Sequence, residues 1–352
     1  MTSIFKYDNS FTLESGVTLP GYHLAYTTHG KLNADKSNVI WIFHALTANS
    51  NPLEWWPGLV GDGRFFDPAK YFIICVNKPG SPYGSISPLS INPQTNQPYY
   101  HEFPLFTIRD MVRTYQHLKD HLGINKIFIA LGGSTGGMQL LEWAIEEPSL
   151  FEHIVPIATN AVLSPWGIAF NASQRMAIEA DSSWLERRPD AGQKGLAAAR
   201  SIALLSYRHY NGYDITQARD KAFVALHNEV TFASDNYQRY QGLKLVNRFN
   251  ALCYYRLSQS MDSHDVGRKR GGVEAALHKI TAKTLVIGIK SDVLYPIAEQ
   301  EYLQKTIRSA ELLNIASDFG HDGFLLEYEK IEPALRKFIE DKQSHHLKVV
   351  NE

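Results

Sequence analysis

The segment Ile127-Phe128-Ile129-Ala130-Leu131-Gly132-Gly133-Ser134-Thr135-Gly136-Gly137 joins an apolar run to a glycine-rich turn around one serine. Its first half is an apolar run that predicts a buried strand, and the residues from Met138 to Ile145 have the pattern of a helix. Glycines two positions before and two positions after Ser134 leave no Cβ to collide where a sharp turn brings strand and helix together. The sequence therefore predicts a serine held in a strained strand-turn-helix junction.

A serine in this setting is typical of the nucleophile elbow of the α/β-hydrolase fold, although a glycine-rich turn of this kind could also bind a phosphate. A serine hydroxyl needs a histidine to take its proton and a carboxylate to orient that histidine, in the chain order Ser, Asp or Glu, His. Asp292 follows the apolar run 284–289, and His321 follows the short predicted strand 312–315. All three residues thus lie at carboxyl ends of strands, where ligands bind in open α/β sheets. We predict a catalytic triad of Ser134, Asp292 and His321.

The loop His44-Ala45-Leu46-Thr47 follows another predicted strand, 39–43. In this fold that loop supplies one backbone amide of the oxyanion hole, and the residue after the nucleophile supplies the other. The backbone amides of Leu46 and Thr135 are therefore the expected oxyanion hole.

Bulk composition narrows the class of protein. The 352 residues carry a formal net charge of −1, from 35 basic and 36 acidic residues, which indicates neither a nucleic-acid nor an anionic-membrane partner. Small-molecule substrates are the expected partners, and no metal site is predicted. Two cysteines, Cys75 and Cys253, argue against a disulfide framework and suit a reducing compartment. With no apolar leader and no run of about 20 apolar residues, we expect a soluble cytoplasmic protein.

The pattern along the chain predicts an α/β-hydrolase core, a mostly parallel sheet flanked by helices, in residues 1–160 and 276–345. Residues 10–30 suggest a pair of antiparallel strands that opens the sheet. In residues 161–275 strand-like runs vanish and helical periodicity takes over, with one aromatic-rich helical stretch from Tyr237 to Met261. We interpret this segment, called the lid below, as an inserted helical domain, and residues 346–352 as a frayed tail.

Two basic features of the lid have alternative interpretations. Arg200, among Ala, Ile and Leu, could extend to solvent or point into the active site to bind a carboxylate. The loop 263–272 places Arg268, Lys269 and Arg270 before two glycines, either as a solvated turn or as a contact for an anionic substrate such as the phosphates of coenzyme A.

The whole set of motifs resembles the homoserine O-acetyltransferase family of α/β-hydrolase-fold acyltransferases, from about residue 10 to 340. Ordinary esterases share only the elbow and the triad. The segments that carry the resemblance are His44 to Thr47, Asp67 to Asn77, Ser90 to Pro93, Thr107 to Val112, Gly132 to Ser134 with Gly136 to Met138, Ser263 to Arg268, Ser291-Asp292 with Leu294 to Pro296, and Gly320 to Leu325.

The resemblance implies that acetyl-CoA, as co-substrate and without a further cofactor, acylates Ser134. The acetyl group then passes to the hydroxyl of L-homoserine in a ping-pong cycle of methionine biosynthesis. It also implies that Arg200 binds the carboxylate of the amino acid and Asp322 its ammonium group, with Tyr207 nearby, and that the protein is a homodimer through its lid.

The sequence departs from the family at two points: Thr135 stands where the family usually has Met, and residues 78–85 replace a more glycine-rich loop. Relatives that use succinyl-CoA or L-serine share the same triad. The alternatives are therefore such a related acyltransferase, a carboxylic-ester hydrolase of the same fold, or a non-catalytic binding protein that has kept the fold.

Overall fold

A central eight-stranded sheet organises the protein, whose computed structural model describes residues 2–219, 224–226 and 229–340. The strands are β1 (Thr2–Tyr7), β2 (Phe11–Thr12), β3 (Thr18–Leu19), β4 (Tyr22–His29), β5 (Val39–Phe43), β6 (Phe72–Val76), β7 (Ile91–Asn92), β8 (Gln97–Pro98), β9 (Ile127–Gly133), β10 (Phe151–Ile157), β11 (Val224–Leu226), β12 (Glu229–Thr231), β13 (Lys283–Ile289) and β14 (Glu311–Ile315). Eight of these strands form the central sheet, in the order β1-β4-β6-β5-β9-β10-β13-β14. β4 pairs antiparallel with both β1 and β6, and every neighbouring pair from β6 to β14 is parallel.

Helices cover both faces of this sheet. They are α1 (Pro52–Trp55), α2 (Ile108–His121), α3 (Thr135–Glu146), α4 (Pro165–Glu179), α5 (Gln193–Tyr207), α6 (Tyr210–Thr216), α7 (Ala233–Val246), α8 (Ala251–Asp262), α9 (Val273–Leu277), α10 (Ile297–Thr306), α11 (Gly323–Leu326) and α12 (Tyr328–Glu340). The predicted α/β-hydrolase fold, a mostly parallel sheet flanked by helices, is confirmed.

The central strands are buried on both sides because their side chains alternate between two hydrophobic clusters. On β5, Trp41 belongs to one cluster and packs edge-on against Trp143 of α3, with ring centroids 4.8 Å apart. Its neighbour Ile40 belongs to the other cluster, together with Leu335 of α12. The continuous apolar strands seen in the sequence therefore form the middle layer of three.

The lid lies between β10 and β13, where helix α4 packs against α5 and α8, and α5 packs against α7. The stretch from Tyr237 to Met261 is helical, as predicted, but it is divided between two helices, since α7 ends at Val246 and α8 begins at Ala251. The break is local chemistry: the Asn250 side chain caps α8 by accepting a hydrogen bond from the Cys253 amide.

Two expectations are corrected. The lid does contain strands, because β11 and β12 form a short antiparallel ladder. Each strand has only three residues, too few to give a periodic pattern. Residues 10–30 do not supply both opening strands, since β4 pairs with β1 (Thr2–Tyr7), of which only Phe5 is buried and which therefore lacks a clear alternation.

The expected domain boundary at residue 275 falls inside α9, which packs against α3 and α10 of the core. The expected frayed tail, 346–352, lies outside the described residues. Within the described part of the chain, no helix has the length and apolar character needed to cross a bilayer.

Candidate active site

Ser134 lies between the end of β9 and the first turn of α3, with φ of 58° and ψ of −125°, a left-handed conformation that costs a non-glycine residue energy. A Cβ on Gly136 would lie 2.2 Å from the Phe43 carbonyl oxygen, and one on Gly132 would lie 2.3 Å from the Gly136 carbonyl oxygen. Only glycine fits at these two positions, which is the physical reason for the Gly-x-Ser-x-Gly spacing.

Asp292 and His321 come together beyond the ends of β13 and β14. The His321 Nδ1–H donates to Asp292 Oδ2 at 2.6 Å, and both side chains are buried. The other carboxylate oxygen of Asp292 accepts hydrogen bonds from the amides of Leu294 and Tyr295, at 2.8 and 2.9 Å. The carboxylate is thus fixed in place, and it leaves His321 Nε2 as the free ring nitrogen.

Ser134 and His321 both line a cavity of about 430 Å³, although no hydrogen bond joins them in this structure. In enzymes without substrate, hydrogen bonds between catalytic groups are often long and tighten when substrate binds. The structure therefore brings Ser134 and His321 to one cavity, and Asp292 orients the His321 ring by its hydrogen bond to Nδ1.

Two backbone amides near Ser134 have no acceptor among the described residues. Leu46 lines the cavity, Thr135 is the first residue of α3, and neither N–H donates to another described residue. Free amides beside a nucleophile are what an oxyanion requires. These are the two amides expected from the sequence.

A buried lysine lies behind those two amides. The Lys78 Nζ donates to the carbonyl oxygens of His44 and Ala45, at 2.9 and 3.2 Å, and to Thr135 Oγ1 at 3.1 Å. His44 lies against it: the Lys78 amide donates to His44 Nε2 at 3.3 Å, and His44 Nδ1–H donates to the Ala45 carbonyl at 2.8 Å. The sequence marks Lys78 and Thr135 only as two separate departures from a pattern, and gives no sign that they touch.

Burial controls the ionisation of these groups. It lowers the pKa of Lys78 to about 7 and lowers the pKa of His44 well below its ordinary value, to which the nearby Lys78 charge also contributes. Burial also raises the pKa of the neighbouring Cys75 thiol to about 12. His44 and Cys75 are therefore neutral near pH 7, where Lys78 titrates.

The three residues expected to bind substrate line the same cavity. Arg200 reaches it from α5 of the lid, with its guanidinium carbon 5.4 Å from the centre of the Tyr207 ring. The Tyr207 ring in turn lies 5.7 Å from the His321 ring. Asp322 follows His321 directly and forms an ion pair with Arg208, a contact that the sequence did not suggest. Arg200 thus lines the cavity, and its role in binding a carboxylate stays a prediction.

Comparison with known proteins agrees with this geometry. Residues 38–328 match the family model of the alpha/beta hydrolase fold. A homoserine O-acetyltransferase from Cyclobacterium marinum is 47% identical over 95% of this chain and 94% of its own. The chain belongs to the homoserine O-acetyltransferase family. The crystal structure of such an enzyme from Bacillus anthracis matches with a TM-score of 0.89 and 26% identity over 98% of both chains. Esterase E22, at 24% identity over 97% of this chain and all of its own, with a TM-score of 0.85, shares the fold.

In this member of the homoserine O-acetyltransferase family, Tyr295 lies beside the triad, although the sequence indicated it only as part of the segment Leu294 to Pro296. Its ring lies 5.2 Å from the His321 ring, and its side chain is fully buried. Burial raises the pKa of the Tyr295 phenol well above its ordinary range, while its contact with the Ser134 side chain works in the opposite direction. The hydroxyl therefore stays protonated beside the nucleophile.

The basic loop 263–272 does not line the cavity in this family member, and its two arginines are paired elsewhere in the chain, which disfavours a contact with coenzyme A. Arg268 pairs with Glu14 at 2.6 Å, and Arg270 pairs with Glu142 and Glu146. Both guanidinium groups are already neutralised by carboxylates. Of the three bases, only Lys269 is the exposed turn residue of the other interpretation.

Two exposed bases line the cavity instead, Lys244 and Arg248, and sequence reasoning missed both. They lie four residues apart, Lys244 in the last turn of α7 and Arg248 just beyond it. Arg248 donates to the Tyr83 hydroxyl at 2.8 Å, and neither base pairs with a carboxylate of the described residues. No group of three or more His, Cys, Asp or Glu side chains that could hold a metal ion occurs in the part of the chain that the structure describes.

Proposed function

We propose that the protein transfers an acetyl group from acetyl-CoA to the hydroxyl of L-homoserine, through an acetyl ester of Ser134, as a step of methionine biosynthesis. The observation that carries this proposal is one cavity that joins the nucleophile, its oriented base and the Arg200 guanidinium in a chain of this family. Acetyl-CoA is a co-substrate here, and the chemistry needs no other cofactor.

The first half-reaction uses the triad and the two free amides. His321 Nε2 takes the proton of the Ser134 hydroxyl, and the serine oxygen attacks the thioester carbonyl. The amides of Leu46 and Thr135 stabilise the oxyanion that forms. When this intermediate collapses, the carbon–sulfur bond breaks and the thiolate of coenzyme A leaves with the proton held by His321.

The second half-reaction repeats the first with an alcohol in place of the thiol. His321 takes the proton of the homoserine hydroxyl, whose oxygen attacks the acetyl ester on Ser134. Collapse breaks the bond to the serine oxygen, which recovers its proton from His321. Water is the competing acceptor, so the acceptor alcohol must be held in place while the lid limits access of water to the ester.

Arg200 and Asp322 are suited to hold a zwitterionic acceptor. The planar guanidinium of Arg200 can bind a carboxylate through two parallel hydrogen bonds. Asp322 can accept from an ammonium group, which then competes with Arg208 for the same carboxylate. Tyr207 contacts both Arg200 and His321, and so lies between the group that would bind the acceptor and the group that would transfer its proton.

The rim of the cavity formed by Lys244 and Arg248 favours an anionic group. These two positive charges have no carboxylate partner in the part of the chain that the structure describes, which favours the phosphates of coenzyme A. We place the phosphates of the donor at this rim of the cavity.

We also propose a cytoplasmic homodimer that forms through the lid. Both cysteines are free and buried, as suits a reducing compartment. Large apolar side chains stay exposed on the lid helices, among them Met176, Leu205 and Leu243, which are 59% to 66% exposed in the single chain.

The test follows free thiol when pure protein is given acetyl-CoA with and without L-homoserine. Thiol release that needs the acceptor, with formation of O-acetylhomoserine, supports the proposal. A panel with succinyl-CoA and L-serine separates the related acyltransferases. Ester cleavage without transfer would instead identify a hydrolase, and Ser134→Ala is expected to abolish either activity.

A further inference from the structure

The feature that the mechanism leaves unused is the buried ammonium group of Lys78. It lies in the segment after β6 and reaches two other segments, the loop after β5 and the first residue of α3. Lys78 is only 2% exposed and forms no ion pair with any carboxylate of the described residues. A buried charge without a carboxylate costs energy, so a structure that keeps one invites a functional explanation.

The acceptors of this ammonium are specific. One is the Ala45 carbonyl, which belongs to the same peptide group as the Leu46 amide. No cis peptide bond occurs among the described residues, so this planar unit points its C=O at Lys78 and its N–H in the opposite direction. Another is Thr135 Oγ1, whose residue supplies the second oxyanion amide, and the third is the His44 carbonyl.

We propose that Lys78 is a positioning residue for the oxyanion hole. Its hydrogen bonds to the Ala45 carbonyl and the Thr135 hydroxyl fix the positions of the Leu46 and Thr135 amides relative to each other. The inference rests on the proposed acyl-serine chemistry and extends it. A charged donor on the carbonyl side of a peptide also polarises the N–H on the other side, which strengthens the hydrogen bond to the oxyanion. Lys78 touches no substrate, and it acts through these two residues.

The titratable groups around Lys78 leave its charge uncompensated. His44, from the loop after β5, and Cys75, from β6, are both neutral near pH 7, and Thr135 of α3 does not titrate. Burial lowers the pKa of Lys78 to about 7. Loss of its proton removes one of three donor hydrogens and the polarising charge, so acylation should slow as pH rises through this range.

The test measures the burst of p-nitrophenolate when p-nitrophenyl acetate acylates Ser134, because this ester needs no recognition of coenzyme A. We expect Lys78→Met to slow the burst about 10- to 100-fold, somewhat less than the loss of a whole oxyanion donor, with the KM for the ester within about twofold. The variant should also lose the decline of the burst rate at alkaline pH. Lys305→Met, an exposed lysine at the end of α10, is the matched control and should keep the wild-type rate.

Thr135→Val gives a second, isosteric test if Lys78→Met folds poorly. It should slow acylation several-fold in the wild-type background and have almost no effect when combined with Lys78→Met, since both substitutions break the same contact. Additive effects, or an unchanged burst in a folded Lys78→Met protein, would overturn the positioning role.

The two proposals fail in different ways. A wild-type burst with the ester but no thiol release from acetyl-CoA would reject the transferase function, and the Lys78 comparison would still decide the positioning role. If the wild type gives no burst with either compound, Ser134 is not acylated and both proposals fall.

Discussion

Arg200 reaches the active-site cavity from helix α5 of the lid. A lone arginine on an apolar helix face usually extends to solvent, because its aliphatic part can cover apolar surface while the charge stays wet. Here α5 turns it toward Ser134 and His321 instead, above the Tyr207 ring. In this position the guanidinium can pair with the carboxylate of the proposed amino-acid acceptor.

Substitution of this residue should separate the two half-reactions. We expect Arg200→Ala to raise the KM for L-homoserine about 30-fold or more, since a hydrogen bond to a charged group contributes about 2 kcal/mol. Formation of the acetyl-enzyme from acetyl-CoA should change by less than about twofold, because the donor does not need this charge. Steady-state kinetics and the thiol burst measure the two effects.

A matched control is Arg187→Ala, which removes an exposed arginine paired with Glu102, outside the cavity. It should leave both constants unchanged. An acceptor KM that does not respond to Arg200→Ala would remove this residue from the acceptor site.

At the scale of the element, the junction of β9 and α3 is the rigid part of the site. Its two close approaches involve backbone atoms, which cannot move aside as a flexible side chain can. The junction therefore fixes the position of Ser134 and of the Thr135 amide together.

Gly136→Ala should consequently destabilise the protein, because the new Cβ would collide with the Phe43 carbonyl of β5. We expect the free energy of unfolding to fall by about 2 to 3 kcal/mol, measured by urea denaturation. Ser134→Ala is the control: it removes the nucleophile, yet should change stability by less than about 1 kcal/mol. Equal stability of the two variants would mean that the junction is more compliant than its geometry implies.

The buried strands of the central sheet were predictable from sequence, because runs such as 127–131 and 284–289 are almost entirely apolar. Each of these runs is followed closely by a predicted triad residue. The fold and the residues of the predicted triad follow from those strand ends. The short lid strands and the break before Asn250 were not predictable, since their signals span only three or four residues. The contact between Lys78 and Thr135 joins positions 57 residues apart, and tertiary packing alone brings them together.

In the whole molecule, the lid has a basic face toward the cavity and an exposed apolar surface elsewhere. One face contributes Arg200, Lys244 and Arg248 to the cavity. Elsewhere α5 and α7, which pack against each other, expose Leu205 and Leu243. These two exposed leucines belong to the surface through which we propose that the dimer forms.

If the lid forms the dimer, a charge placed there should dissociate it. We expect the wild type to sediment as a dimer at micromolar concentration, and Leu205→Glu with Leu243→Glu to sediment as a monomer with an unchanged circular dichroism spectrum. Ile91→Glu, at an equally exposed apolar residue of the core, is the control and should remain dimeric. A monomeric wild type, or a doubly substituted protein that stays dimeric, would contradict assembly through this surface.

The buried Lys78 ammonium also makes the stability of the fold depend on pH. The unfolded chain holds this proton up to the ordinary lysine pKa of 10.5, whereas the native protein releases it near pH 7, so the free energy of unfolding rises with pH between these values. Relative to Lys78→Met, wild-type protein should gain about 2 kcal/mol between pH 7 and pH 9 in urea titrations, and parallel curves would contradict this. At mildly alkaline pH the free energy of unfolding would then be higher and the acylation rate lower. Loss of the Lys78 proton would therefore increase stability and decrease activity.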